Sequence, residues 1–142
     1  MLKLTFITIG QVPRGPFSEL AEGWEKQLKA FVKLEKKVAK DESSAVRILD
    51  LLVPSVLLVL EADGKNLTSE AFSKWVGQRE DTGDHVVVIL GGPHGLSDDL
   101  KTRANLLLSL SAMTTTHDLA HLFFLEQLYR AFTILRGKTY HY

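Results

Sequence analysis

Two short runs constrain this chain more than any other feature. Val56-Leu57-Leu58-Val59-Leu60 and His85-Val86-Val87-Val88-Ile89-Leu90 are almost unbroken apolar stretches of strand length. A strand with one wet face alternates apolar with polar residues. A strand that does not alternate is covered on both faces, as in a parallel sheet between two layers of helices. The second run is β-branched and closes on Gly91-Gly92, which marks a strand end.

The flanking segments switch between helical and strand periods. Leu2, Leu4, Phe6 and Thr8 interleave with Lys3, Thr5, Ile7 and Ile9 as a first strand that stops at Gly10. Two prolines and a glycine make 11–16 a loop. From Phe17, with Ser18 as cap, Leu20, Ala21, Trp24, Leu28 and Phe31 fall at helical spacing. Val32, Leu34 and Val38 return to period two, with Lys33, Glu35 and Lys37 on the wet side. Ser43 or Ser44 starts a brief helix that Pro54 must end. Thr68-Ser69-Glu70 opens a helix that gathers Phe72, Trp75 and Val76. A helix over 97–105, a strand over 106–110 and a long helix over 117–135 complete the chain. The expectation is one α/β domain over 1–142, a mostly parallel sheet with helices on both faces.

Composition narrows the functional classes. Seventeen Lys+Arg balance seventeen Asp+Glu, which argues against coating a nucleic acid by charge alone. Without cysteine there is no disulfide framework, thiolate nucleophile or Cys-based metal centre, and the apolar core must hold the fold, as is usual in cytoplasmic domains. The N-terminus alternates like a strand and lacks the form of a signal peptide. The apolar stretch 119–135 carries His121, Glu126, Gln127 and Arg130, so a membrane span is not expected.

Two features exceed an ordinary domain. Twelve of the seventeen residues in 119–135 are apolar, whereas a helix that only covers a sheet needs one stripe. Burial of the second face in a homodimer fits so small a chain, with a wholly internal helix as the alternative. Charge is also uneven: Lys101, Arg103, Arg130, Arg136 and Lys138 oppose only Asp118 and Glu126 in 101–142, a net of +3. That basic end suits phosphates, and a solvated tail suits it equally.

Chemistry-bearing patterns are sparse. Gly91-Gly92-Pro93-His94-Gly95 follows a strand, where glycines let backbone N–H groups approach a ligand; a structural turn explains it as well. No dinucleotide fingerprint, P-loop or nucleophile elbow occurs. The run 109–117, Ser-Leu-Ser-Ala-Met-Thr-Thr-Thr-His, is small and hydroxyl-rich, able to wrap a ligand while Thr115 or Thr116 caps the last helix. His117 and His121 stand four apart on a helix without an evident third ligand, so no metal is expected.

Gly91-Gly92-Pro93-His94-Gly95-Leu96-Ser97, Leu108-Ser109-Leu110-Ser111-Ala112-Met113-Thr114, His117, Glu126-Gln127-Leu128-Tyr129-Arg130-Ala131 and Tyr140-His141 occur in order, preceded by Leu60-Glu61-Ala62-Asp63-Gly64-Lys65. With these, the chain resembles, nearly end to end, the large-subunit rRNA pseudouridine-N3 methyltransferase family of the SPOUT superfamily. The resemblance implies a SPOUT-type trefoil-knotted domain, a homodimer, and S-adenosylmethionine (SAM, S-adenosyl-L-methionine) bound in a bent form. It implies an acceptor pseudouridine in helix 69 of 23S rRNA, met on the assembled 70S ribosome.

Carried over by residue, Leu60, Gly92, Ser111, Ala112, Met113, Thr114, Thr115 and Thr116 would form the cofactor pocket, largely through backbone groups. His141 would lie near the acceptor base, to take or relay the N3 proton or to position the base. Arg130 and His117 would organise the knot or the RNA side. Three departures accompany the resemblance. Tyr142 stands where the family usually has a basic residue, which removes a phosphate or base contact that stacking on a base would have to replace. His121 replaces a common arginine, making charge there pH-dependent. The region 41–54 is also short. A sister activity on another RNA such as tRNA, or a non-catalytic dimeric module that binds RNA or cofactor, are the competing expectations.

Overall fold

The computed structural model describes residues 1–92 and 94–140; Pro93 and two residues singled out above, His141 and Tyr142, lie outside the described residues. Five strands and five helices alternate without exception: β1 Leu2–Ile9, α1 Pro16–Leu28, β2 Val32–Ala39, α2 Glu42–Leu51, β3 Val56–Asn66, α3 Ser69–Thr82, β4 His85–Leu90, α4 Asp98–Arg103, β5 Leu106–Ser109 and α5 His117–Leu135. All paired strands are parallel, in the order β2-β1-β4-β3-β5. The two apolar runs are the neighbours β3 and β4, covered on both faces as their sequence requires.

Alternation along the strands divides the core in two. Leu4 and Phe6 of β1, Leu58 and Leu60 of β3, and Val86 and Val88 of β4 face α1, α3 and α5. Ile7, Val59, Val87 and Ile89 face the other way, toward α2 and Leu100 of α4. Helix α5 packs between α1 and α3. Phe124, Leu125, Leu128, Ala131 and Phe132 are thereby buried, while Leu119 and Phe123 stay 48% and 40% exposed. Most of its apolar circumference is thus covered within one chain, and only its N-terminal half retains an uncovered apolar side.

Local chemistry sets the helix ends. Asp41, Thr68, Ser97 and Thr116 accept hydrogen bonds from backbone N–H groups three residues on, the N-cap arrangement. α1 departs from the expected Ser18 cap: Gly15 is the N-cap with no side-chain bond, and Pro16 opens the helix. Proline has no N–H to leave unsatisfied there and its φ already suits a helix. α1 also stops at Leu28, so Phe31 belongs to the turn into β2, where its ring stacks on Phe132 of α5 at 5.5 Å.

β3 runs six residues beyond the expected strand, and there it is irregular. Leu108 of β5 is the register partner of both Leu60 and Lys65, so residues 61–64 bend around it. Gly64 makes this approach possible: a Cβ there would stand 2.7 Å from the Leu107 carbonyl oxygen. Asn105 begins the β5 pairing with two bonds of 2.8 Å, its N–H donating to the Leu57 carbonyl and its Oδ1 accepting from the Leu57 N–H.

Candidate active site

The C-terminal ends of β3, β4 and β5 lie side by side, where open α/β sheets place ligands. A cleft of about 130 Å³ opens there. Leu60, Leu90 and Leu108 at the strand ends and Ala120 from α5 give it an apolar side; Glu61 and residues of the loop after β5 give it a polar rim. No lysine or arginine is among the residues lining it.

Hydroxyl groups shape the loop. The buried Ser109 Oγ donates to the Ser111 carbonyl at 2.9 Å, and Ser111 Oγ accepts from the Met113 N–H at 3.0 Å. Thr116 Oγ1 accepts from the Leu119 N–H at 3.3 Å and starts α5. The serines and threonines thus make the turn themselves, leaving backbone at the mouth of the cleft.

Of the eight residues expected at the cofactor, Leu60, Ser111, Met113, Thr114 and Thr115 line this one cleft. Ala112 and Thr116 belong to the same loop but not to the wall. Gly92 leaves β4 beside β1, with its Cβ position 3.5 Å from the Ile9 carbonyl oxygen; Gly91 is tighter, its Cβ position 2.8 Å from Leu96 Cγ. Glu61, Ala62, Leu90, Leu108, Ser109, Leu110 and Ala120 also line the cleft and are not among the eight residues expected at the cofactor. Glu61 is the carboxylate at the wall, with Lys101 of α4 at 3.9 Å. Its only sequence signal was its place in the Leu60–Lys65 pattern.

The remaining candidates lie along α5. His117 sits just past the loop with its Nε2 buried and, among the described residues, without a hydrogen-bond partner, and Asp118 is 4.0 Å from Nδ1. Burial lowers its pKa, and Asp118 partly opposes this. His121 corrects the expectation of a pH-dependent charge near the site. It is only 3% exposed and stacks on Phe6 at 4.7 Å. Burial, then His117 and Lys36, lowers its pKa to about 4, so it is neutral at physiological pH. Among the described residues no group of three metal-ligating side chains gathers.

Arg130 is held rather than extended. Its guanidinium donates to Glu126 Oε1 at 2.6 Å and lies 4.8 Å from the Tyr140 ring centre. Tyr140 OH donates to the same oxygen at 3.1 Å, and its ring packs on Tyr129 at 4.9 Å and on Trp24 at 6.4 Å. Burial first, then the Glu126 charge, raises the Tyr140 pKa and keeps its phenol protonated. This anchor fixes the chain immediately before His141 and Tyr142.

Comparison with known proteins places this arrangement. A family model described as predicted SPOUT methyltransferase matches residues 2–141. Proteins named ribosomal RNA large subunit methyltransferase H are similar over nearly full length. That of Maridesulfovibrio salexigens is 36% identical, covering 100% of this chain and 99% of the relative. That of Coprothermobacter proteolyticus is 34% identical, with 99% of each covered. The Syntrophobacter fumaroxidans protein is 45% identical over 78% of this chain and 76% of its own length. Among solved structures, a probable methylase family protein from Haemophilus influenzae Rd KW20 superposes with a TM-score of 0.60 at 9% identity, covering 94% of this chain and 66% of that one. The SpoU methyltransferase AviRb from Streptomyces viridochromogenes, solved in complex with AdoMet, gives a TM-score of 0.51 at 13% identity, covering 96% and 61%.

Proposed function

Taking as premise that the chain belongs to the SPOUT methyltransferase family, we propose that it transfers the methyl group of SAM to N3 of a pseudouridine in helix 69 of 23S rRNA, as a homodimer acting on the assembled 70S ribosome in the cytoplasm. The observation that carries the reading is the cleft at the ends of β3, β4 and β5. Five residues assigned to the cofactor from the sequence converge on it.

The lining suits this cofactor. SAM bears a sulfonium cation, an amino-acid group and a nucleoside, but no phosphate. A phosphorylated nucleotide would call for lysine, arginine or a glycine-rich helix start, and among the described residues no basic side chain lines the wall. Apolar strand ends, backbone from the loop after β5 and the Glu61 carboxylate fit a neutral-to-cationic ligand. When bound, the cofactor supplies the electrophilic methyl carbon.

The chain's own work is orientation and proton handling. Leu60, Leu90, Leu108 and Ala120 exclude water from one side of the cleft, and Ser109 and Ser111 hold the loop in its turn. N3 of the acceptor loses a proton as it forms its bond to carbon, and we assign His141 to receive or relay it. Tyr140, anchored by Glu126 and Arg130, sets where that tail begins. Tyr142 is assigned to the RNA side, and Arg130 and His117 to organising the knot or the RNA side.

The homodimer is supported by Leu119 and Phe123, the apolar residues of α5 that α1 and α3 leave uncovered. The trefoil knot is proposed on the family membership alone. Cytoplasmic action is consistent with the absence, among the described residues, of any helix long and apolar enough to cross a membrane. The test is transfer of labelled methyl from SAM to 70S ribosomes that lack the modification, followed by identification of the labelled nucleotide. Label on pseudouridine N3 is the expected result. Label in bulk tRNA instead, or cofactor binding with no product on either RNA, would overturn the assignment.

A further inference from the structure

At the opposite end of the sheet from the cofactor cleft, three strands bring basic groups into one row. Lys3 of β1 is the register partner of Lys33 on β2 and of His85 on β4. Parallel partners in register point to the same face, so Lys33, Lys3 and His85 stand side by side across β2, β1 and β4. They flank a groove with Thr5 and Glu35 where α2 no longer covers the sheet.

The row is short of counter-charge. Among the described residues neither Lys3 nor Lys33 has a carboxylate within ion-pair distance. The nearby acids are engaged elsewhere: Glu35 with Lys37 at 3.1 Å, Glu80 with Arg136 at 2.7 Å and Asp84 with Arg79 at 3.4 Å. Like charges directly abreast on neighbouring strands repel. Lysines on an edge strand commonly guard against edge-to-edge aggregation, and that accounts for Lys33 on β2. It does not account for Lys3, because β1 is an interior strand.

His85 completes the arrangement. Its Nε2 is 2.8 Å from Oγ1 of the buried Thr5, which fixes the ring against the sheet. Among the described residues Nδ1 has no hydrogen-bond partner, which leaves it to a ligand. Two ammonium groups and one imidazole flank a groove in which, among the described residues, the one lining carboxylate, Glu35, is paired with Lys37; they form an acceptor-binding set with the chemistry of phosphate recognition.

We propose that Lys3, Lys33 and His85 form a phosphate-binding site on the open face of the sheet, separate from the cofactor cleft, which holds a phosphodiester of bound RNA. β4 alone separates the two places by five residue steps, roughly 17 Å at strand rise. One RNA strand several nucleotides long spans that distance, so the site would act as a second handhold on the substrate.

The test uses the full chain with labelled histidine, following the His85 ring resonances by NMR at constant pH, assigned with His85→Gln. Inorganic phosphate is titrated against chloride at equal ionic strength, and in parallel a single-stranded RNA of about ten nucleotides, long enough to cross the groove. A saturable shift of the His85 resonances is expected in both arms, at lower concentration with RNA, and lost in Lys3→Gln/Lys33→Gln. Saturation by phosphate alone would support the phosphate site but overturn the RNA assignment. No saturable shift in either arm, or an equal shift in the double variant, would overturn the site itself. RNA affinity followed separately by fluorescence anisotropy should show the double variant lowering the slope of log affinity against log salt by about one to two, because one or two phosphate contacts are lost. SAM affinity reports separately on the cleft, so failure here leaves the methyltransferase reading standing, and the reverse also holds.

Discussion

Replacing Gly64 with alanine tests whether the close crossing of β3 and β5 is a structural necessity. The added Cβ would lie 2.7 Å from the Leu107 oxygen and 2.8 Å from the carbonyl carbons of Leu107 and Leu108. All three are backbone atoms of a paired strand, so no rotamer change relieves the contact; β5 must move away from β3. Forced overpacking of this kind costs about 3 kcal/mol, near the upper end of the usual range. For a chain of this size that lowers Tm by roughly 6–12 °C. Leu108 also lines the cleft, so SAM affinity should fall in the same variant. Gly77→Ala in α3 is the matched control. Its Cβ would meet Leu135 Cδ2 at 2.9 Å, the end of a flexible side chain, and alanine gains about 1 kcal/mol of helix propensity in return. Thermal and urea unfolding with SAM titration decides the matter. If Gly64→Ala melts within about 2 °C of the parent, or no lower than Gly77→Ala, the crossing is not as tight as argued.

Three further outcomes follow from the same structure. His121 has its folded pKa lowered to about 4 from 6.5, so the unfolded chain binds more protons between those values, and stability falls as pH drops through that window. The loss is roughly 3 kcal/mol, and urea unfolding across pH should show His121→Phe flattening that dependence, since phenylalanine keeps the stack on Phe6 and cannot be protonated. Ser111→Ala removes the acceptor of the Met113 N–H; calorimetry should show SAM binding about five-fold weaker, equivalent to ~1 kcal/mol, with Tm little changed. An unchanged Kd would mean that the loop holds its turn without that bond. The proposed homodimer is tested by Leu119→Asp/Phe123→Asp, which puts charge on the uncovered side of α5: sedimentation should find the parent dimeric and the variant monomeric. A dimer that survives would place the interface elsewhere.

Local residue chemistry determined much of this protein. The unbroken apolar runs at β3 and β4 required cover on both faces, and Thr68 and Thr116 fixed where α3 and α5 begin, because these signals act within a few residues. The loop after β5 was legible for the same reason: its serines and threonines build their own turn. Distances between remote segments were decided only by tertiary structure. Glu61 and Ala62 reach the cleft because β3 continues past Leu60 and bends around Leu108, whereas the apolar run that marks the strand in the sequence stops before them. His121 looked like a titrating group beside the site, yet packing against Phe6 holds it neutral, since a pKa depends on surroundings that the helix period does not specify. The row of Lys33, Lys3 and His85 exists only once register aligns three strands distant in the chain. Sequence sets the period of each element; the burial and charge around a side chain arise where elements meet.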